Sequence, residues 1–218
     1  CDGTGAELAR AGLATIGIRI PAHPVACELL TKFGRPLAAP SANPSGRISP
    51  TSAEDVADAF GSEVAMVLDG GRCEAGIEST IISVLPEEPA CVLRPGAIDR
   101  DSLAAVVGPL SDAVADAITA PGQLSSHYAP RARVRLNVTQ PSDDEVFLGF
   151  GSNDQGASLN LSRRGDLIEA ASNLYQMLRQ LDAMASAAIA VAPIPESGLG
   201  EAINDRLMRA AAPRETTA

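Results

Sequence analysis

One proline-rich stretch, residues 36–56 (PLAAPSANPSGRISPTSAEDV), restricts the folds open to this chain more than any other segment. Its four prolines each fix φ and lack a backbone donor, while Gly46 permits a positive φ. No helix or central strand can therefore run through it. The pattern predicts a shaped loop that follows a short buried strand, residues 37–39, and precedes a helix capped by Thr51 and Glu54.

Polar side chains fill this predicted loop, namely Ser41, Asn43, Ser45 and Ser49. They lie between the end of a strand and the N-terminus of a helix, a position that suits an anionic ligand such as a nucleotide phosphate. A proline- and serine-rich surface turn without a ligand is the alternative interpretation of the same residues.

Charge and composition exclude several classes of protein. The 218 residues carry 17 basic and 27 acidic side chains, and the net charge of −10 opposes broad binding to a nucleic-acid backbone. No apolar run approaches the ~20 residues of a membrane-spanning helix. Four cysteines without a CxxC pair and two histidines argue against a metal site or a disulfide framework, which predicts a reducing, cytoplasmic setting. Because the chain starts at Cys1 without a basic-then-apolar pattern, we expect no signal peptide and a start within a longer protein.

Strands and helices alternate on both sides of an irregular segment. Apolar, β-rich runs predict strands at residues 15–20, 64–69, 77–84 and 91–98, and helical spacing predicts helices at 25–33, 101–119 and 166–182. The irregular segment predicts a linker, which divides the chain into residues 1–112, 113–133 and 134–218. The order of elements predicts an α/β fold.

Two arginines belong to predicted strands, each just before a proline or a Pro-Gly turn. Arg19 closes the strand at residues 15–20, and Arg94 is followed at once by a Pro-Gly turn. Open α/β sheets bind ligands at such ends, so each arginine is a candidate anion clamp. A solvent-facing arginine beside a turn is the alternative in both cases.

Six segments, taken in order, resemble the threonylcarbamoyl-AMP synthase family, in its longer form with a YrdC-like catalytic domain and an appended C-terminal domain. They are TIGIRIP, PLAAPSANPSGRISPT, LDGGRCEAGIESTIISV, LRPGAI, HYAP and GLGEAINDRLMRAA. The resemblance implies a partial YrdC-like twisted-sheet domain followed by a small Rossmann-like α/β domain.

The resemblance also implies a nucleotidyltransferase reaction. L-threonine and bicarbonate would form a carbamate, whose oxygen attacks the α-phosphate of ATP, with Mg²⁺ assisting, and expels pyrophosphate. Downstream tRNA threonylcarbamoyl transferase proteins would then carry the group of threonylcarbamoyl-AMP to a tRNA adenosine. The net charge of −10 argues against direct tRNA binding by this chain.

Site residues follow from the resemblance position by position. Those expected to contact ATP are Thr15, Ser41, Ser49, Arg94 and Tyr128, and those expected to line the threonine pocket are Arg19, Ala39 and Ser79. No side-chain nucleophile is required, so no catalytic residue and no metal ligand is assigned. Positioning and charge stabilisation would carry the chemistry. The linker, with Tyr128, is predicted to close over the nucleotide as a lid.

One departure from the family concerns its N-terminal half, which supplies a Lys/Arg pair for the phosphates and is missing from this sequence. We therefore expect unpaired apolar segments and no activity from this chain alone. A nucleotide- or double-stranded-RNA-binding module without catalysis is the alternative function.

Overall fold

The computed structural model describes residues 7–10, 12–113, 120–122, 126–184 and 188–213. The helices are α1 Glu7–Arg10, α2 Pro24–Phe33, α3 Ala53–Phe60, α4 Arg100–Val107, α5 Leu167–Ala183 and α6 Leu199–Ala211, with a 3₁₀ turn at Gly61–Glu63. The strands are β1 Ile81–Ser83, β2 Ala90–Arg94, β3 Leu110–Asp112, β4 Arg133–Arg135, β5 Glu145–Gly149, β6 Leu159–Asn160 and β7 Ala188–Val191. None of the described helices is long and apolar enough to cross a lipid bilayer.

The strands form two sheets. In the first, β1 pairs antiparallel with β2, and β2 pairs parallel with β3. The second has the order β4-β7-β5-β6 with parallel neighbours throughout. Parallel strands need long crossover connections, and α5 provides one between β6 and β7. The predicted α/β class, with a Rossmann-like C-terminal domain, is confirmed. Below, residues 12–113 are called the N-terminal part and residues 132–213 the C-terminal part.

Most of the buried core lies in the C-terminal part. The α5 and α6 stripes pack on the parallel sheet, and the fully or almost fully buried side chains include Phe147, Leu148, Leu161, Leu174, Leu178, Leu181, Ile189, Ile203 and Leu207. Helix α5 begins where Asp166 accepts hydrogen bonds from the backbone N–H groups of Ile168 (2.8 Å) and Glu169 (3.1 Å). These bonds satisfy donors that a helix start leaves unpaired, so the helix predicted at residues 166–182 is confirmed.

Three predicted strands of the N-terminal part are wrong. Residues 15–20, 37–39 and 64–69 have no regular secondary structure, and the described residues provide them with no β partner. Ile18 and Ile20 are 83% and 91% exposed. A β-rich composition yields a strand only where another strand completes the ladder, so local pattern alone could not decide. The exposure matches the expectation of unpaired apolar segments.

The capping box of α3 begins one residue later than predicted. Ser52 Oγ accepts a hydrogen bond from Asp55 N (3.1 Å), and Asp55 Oδ2 accepts one from Ser52 N (3.2 Å). Thr51 is buried, and its own N–H also donates to Asp55 (2.8 Å). Asp55 thus has the capping role predicted for Glu54.

The helix predicted at residues 101–119 is shorter. It ends at Val107, because Gly108 has φ +83° and Pro109 follows. The chain then enters β3 beside β2. Residues 114–119 of that prediction lie outside the described residues.

Candidate functional site

The proline-rich segment forms the predicted loop and carries Ser49, which is buried. The Asn43 side-chain amide donates to the carbonyls of Pro44 and Arg47, both at 3.0 Å, and Gly46 has φ +74°. These local bonds replace the helix or strand bonds that the prolines prevent. At the end of this loop, the Ser49 hydroxyl donates to Glu78 Oε1 over 2.6 Å.

Glu78 joins the two parts of the chain. Besides Ser49, its carboxylate accepts the Tyr175 hydroxyl of α5, at 2.9 and 3.1 Å from its two oxygens. The Arg206 guanidinium of α6 donates to Glu78 Oε2 through Nε at 2.8 Å, and Arg206 is completely buried. The half-buried carboxylate thus accepts from three side chains, which connects the loop to two helices of the C-terminal part in one polar network.

The network keeps Glu78 ionised. Burial alone would raise the pKa of the Glu78 carboxyl, but the Arg206 charge and the hydrogen bonds from Ser49 and Arg206 outweigh burial and lower that pKa. Burial raises the pKa of the Tyr175 hydroxyl well above its ordinary value. At neutral pH the network therefore consists of a carboxylate, a guanidinium and a neutral phenol.

Arg94 is also buried, at the end of β2. Its Nη2 donates to the carbonyl of Ser79 (2.8 Å) and its Nη1 to the carbonyl of Pro121 (3.1 Å). Arg94 thus ties Ser79, which is half-buried beside Glu78, to the linker. The solvent-facing alternative for Arg94 is wrong.

The linker places Tyr128 within the same cluster. Tyr128 is 1% exposed and has φ +60°, and its ring lies 5.3 Å from the Arg206 guanidinium carbon and 5.6 Å from the Tyr175 ring. Gly122 has φ +82°, and a Cβ added there would lie 2.3 Å from the Tyr128 hydroxyl and would displace it. In this structure Tyr128 packs against Tyr175 and Arg206 of the C-terminal part, as expected if the linker only joins the two parts. Lid closure remains a prediction, because residues 123–125 lie outside the described part.

His127 neighbours this cluster. Its Nδ1 accepts a hydrogen bond from the backbone N–H of Tyr128 (3.0 Å), and the backbone N–H of His127 donates to the carbonyl of Arg209 in α6 (3.2 Å). Burial, together with nearby arginine charges, lowers the pKa of His127 against the opposing effect of Glu78. The imidazole is neutral at neutral pH, as the Nδ1 acceptor role requires.

The structure brings four of the predicted site residues together, namely Ser49, Ser79, Arg94 and Tyr128. The other four, Thr15, Arg19, Ala39 and Ser41, lie in exposed stretches without regular secondary structure. The ligand-binding roles of all eight residues remain predictions.

Sequence reasoning missed Glu78, Tyr175 and Arg206. Arg206 follows Ile203 by three residues and immediately precedes Leu207, so it lies on the apolar stripe of α6. A charged residue at such a position is almost never buried unless it is paired. This signal pointed to a buried ion pair, although it did not identify Glu78 as the partner.

The described residues do not fit a protein-held Mg²⁺ site. They contain no group of three or more His, Cys, Asp or Glu side chains that could hold a metal ion. Glu78, the carboxylate beside Ser49, already accepts bonds from a serine, a tyrosine and an arginine. It is therefore not available as a metal ligand.

The fold and this site define a two-part α/β protein in which helices of the second part hold a proline-rich loop, an ionised glutamate and a linker tyrosine. A family model described as telomere recombination (Sua5_yciO_yrdC) matches residues 5–96. A second, described as the C-terminal domain of threonylcarbamoyl-AMP synthase, matches residues 98–212. The chain belongs to the threonylcarbamoyl-AMP synthase family, which confirms the resemblance seen in its sequence.

Similar proteins extend the match over both parts. The threonylcarbamoyl-AMP synthase of Bacillus subtilis is 36% identical over 94% of this chain and 65% of its own length. That of Pyrococcus abyssi is 37% identical over 91% of this chain and 64% of its own length. This chain thus spans about two thirds of the length of these curated relatives.

Solved structures agree with the sequences. A crystal structure of P. abyssi Sua5 complexed with L-threonine has a TM-score of 0.83 at 34% identity, covering 94% of this chain and 66% of that one. A P. abyssi Sua5 variant in which an adjacent histidine and tyrosine are both alanine has a TM-score of 0.81 at 31% identity, covering 94% and 65%.

Proposed function

We propose that this chain carries the nucleotide-binding loop and part of the threonine pocket of an L-threonylcarbamoyladenylate synthase. The observation that supports this most is the match to both family models, together with the loop held at Ser49 by Glu78. The proposed ATP contacts are Thr15, Ser41, Ser49, Arg94 and Tyr128, and the proposed threonine contacts are Arg19, Ala39 and Ser79.

Threonine as a substrate is supported by the similar P. abyssi structure, which contains L-threonine. Arg19 supplies the fork of donors that pairs with a carboxylate through two hydrogen bonds. In this proposal the arginine fixes the α-carboxylate of threonine. The amine of threonine then attacks bicarbonate, and water leaves as the carbamate forms.

The second step is adenylation. A carbamate oxygen attacks the α-phosphorus of ATP, the bond to the β-phosphate oxygen breaks, and pyrophosphate leaves. The only bond that forms on phosphorus is to the substrate itself, so no side chain has to act as a nucleophile. The protein contributes binding, orientation and charge stabilisation. Mg²⁺, if it accompanies ATP, would neutralise charge on the phosphates, and no carboxylate cluster among the described residues would hold it.

The setting and the partners are also proposals. Cys27, Cys73 and Cys91 are free thiols, which is typical of a reducing compartment and supports a cytoplasmic location. Cys1 lies outside the described residues. A mixed anhydride such as threonylcarbamoyl-AMP is short-lived in water. A downstream tRNA threonylcarbamoyl transferase would therefore consume it directly.

The experiment uses two proteins. One is the 218-residue chain, and the other is a fusion protein that joins it to the portion of the B. subtilis relative that it does not cover. We expect the chain alone to release little or no pyrophosphate from ATP, and the fusion to release it only when threonine and bicarbonate are both present. Release that does not depend on threonine, or no release by the fusion, would contradict the proposal.

A variant locates the threonine pocket. Arg19→Ala in the fusion should raise KM for threonine by about tenfold or more and leave KM for ATP nearly unchanged, because only the carboxylate partner is lost. An equal rise in KM for ATP would instead place Arg19 on the phosphates. Of the alternative, a nucleotide- or double-stranded-RNA-binding module without catalysis, the net charge of −10 argues against the RNA-binding form.

A further inference from the structure

The Ser49 hydroxyl has a single proton, and it donates that proton in a hydrogen bond to Glu78. Serine offers one O–H donor and two acceptor lone pairs, whereas an ionised carboxylate can only accept. The 2.6 Å contact between Ser49 Oγ and Glu78 Oε1 therefore has one possible direction. Whatever else approaches this hydroxyl meets only its lone pairs.

The C-terminal part maintains that direction. Arg206 donates to Glu78 over 2.8 Å from a position with no solvent exposure, and Tyr175 donates to both carboxylate oxygens. Both partners donate to Glu78, and the charge of the buried Arg206 favours the ionised carboxylate over the protonated acid. The carboxylate is thus a fixed acceptor for Ser49.

The backbone of Ser49 is held from the same side. Arg179 of α5 donates through Nη2 to the carbonyls of Ser49 (3.1 Å) and Ile48 (3.3 Å), and its Nε lies 3.2 Å from Asp55 Oδ1 at the start of α3. Two helices of the C-terminal part therefore fix both the main chain and the hydroxyl direction of one loop residue.

We propose that the C-terminal part sets the polarity of Ser49, so that its hydroxyl meets the nucleotide as an acceptor for an O–H or N–H donor and not as a donor to a phosphate oxygen. ATP offers such donors in its ribose hydroxyls and its adenine amine. This inference rests on the proposed function, which assigns Ser49 to the nucleotide. It also revises the sequence hypothesis that grouped Ser49 with phosphate-binding hydroxyls.

Nucleotides that lack one donor each identify the partner. In the fusion protein, kcat/KM for ATP is compared with kcat/KM for three analogues. 2′-Deoxy-ATP lacks the 2′-hydroxyl, 3′-deoxy-ATP lacks the 3′-hydroxyl, and inosine triphosphate lacks the adenine amine. We expect kcat/KM for one of the three analogues to be about tenfold lower than for ATP, which is the loss typical of one missing hydrogen bond. In Ser49→Ala that difference should disappear. A ratio of this kind is independent of the folded fraction, so a purely structural defect does not change it.

Glu78→Gln tests the polarity itself. Arg206 can only donate, so the oxygen of the new glutamine amide faces Arg206 and the NH₂ group faces Ser49. The Ser49 hydroxyl then accepts a hydrogen bond from residue 78. Ser49 can then donate elsewhere, and the preference for ATP over the sensitive analogue should be lost. The matched control is Glu201→Gln. Glu201 lies on the same helix as Arg206 and pairs with Arg100 at 2.8 Å, so this change weakens another arginine–glutamate pair without affecting Ser49. It should keep the wild-type ratio.

Tyr175→Phe provides a second, milder variant if Glu78→Gln does not fold. It removes one donor from Glu78 but leaves Ser49 facing a carboxylate that can only accept, so the wild-type ratio should be kept. Loss of the ratio in this variant would contradict the proposal. If the unmodified fusion releases no pyrophosphate, the proposed function has failed and the inference fails with it. If the fusion is active and its analogue ratios are the same in Ser49→Ala, the function stands and this inference is overturned.

Discussion

Gly76 allows the N-terminal part to touch α5 directly. It has φ +68°, and a Cβ built on it would lie 2.3 Å from the Ala171 carbonyl oxygen and 2.4 Å from Ser172 Cα. These are backbone atoms of a helix and cannot move aside as a side chain can. Two residues later, Glu78 reaches Tyr175 on the same helix, so this close approach brings the polar network within bonding distance.

The cost of Gly76→Ala has two sources. A left-handed backbone with a Cβ costs about 1–2 kcal/mol, and overpacking against atoms that cannot relax adds about 1–3 kcal/mol. The total is about 2–5 kcal/mol. Gly165 provides the control, because its φ of +73° is nearly the same and its added Cβ would meet only a Phe150 ring carbon at 4.0 Å. Gly165→Ala should cost the strain alone, about 1–2 kcal/mol.

Urea unfolding of both variants, followed by far-UV circular dichroism, gives the two free energies. Near-ultraviolet dichroism adds a local signal, since Tyr128 and Tyr175 are the only tyrosines of a chain without tryptophan. Gly76→Ala should alter that signal and Gly165→Ala should not. Equal free-energy losses for the two variants would refute the close contact between Gly76 and α5.

Three further predictions concern single residues. Ser52→Ala removes the cap of α3 and should lower the free energy of unfolding by about 0.5–2 kcal/mol, whereas Ser52→Gly should cost only a few tenths; equal costs in urea titrations would argue against the cap. The lowered pKa of His127, caused mainly by burial, means that its contribution to stability is present above its ordinary pKa of 6.5 and is lost as the pH falls through the folded value. Urea midpoints measured from about pH 7 down to pH 5 should fall, and His127→Gln should flatten that fall. Glu78 has a lowered pKa despite its burial, so its contribution is present above 4.5 and is lost at more acidic pH. Midpoints below about pH 4.5 should therefore decline less steeply in Glu78→Gln, and an unchanged slope would count against the ion pair.

The C-terminal part was the more predictable half of the fold. Helix α5 has a complete local signature, with Asp166 at its start and an apolar stripe at helical spacing, and the helix follows it. The strands at residues 15–20 and 64–69 have an equally clear local pattern but no partner among the described residues. Strand pairing is not a local property, so composition could not predict it.

The polar network could not be predicted for a related reason. Arg206 is 128 positions from Glu78, and Tyr175 is 97 positions away, so no motif spacing connects them. The sequence indicated the loop through its prolines, and the family resemblance indicated Ser49, Arg94 and Tyr128. The residues that orient Ser49 became visible only after the two parts were packed together.

Isotope tracing of the product tests the central claim most directly. The fusion protein is incubated with ATP, carbon-14 threonine and, in a parallel reaction, carbon-14 bicarbonate, and the adenylate fraction is isolated at once. We expect label from both precursors in one AMP-containing product, in equal molar amounts and with one pyrophosphate released per product. An adenylate that contains threonine but no carbon from bicarbonate, or a product without threonine, would contradict assignment of this chain to threonylcarbamoyl-AMP synthesis.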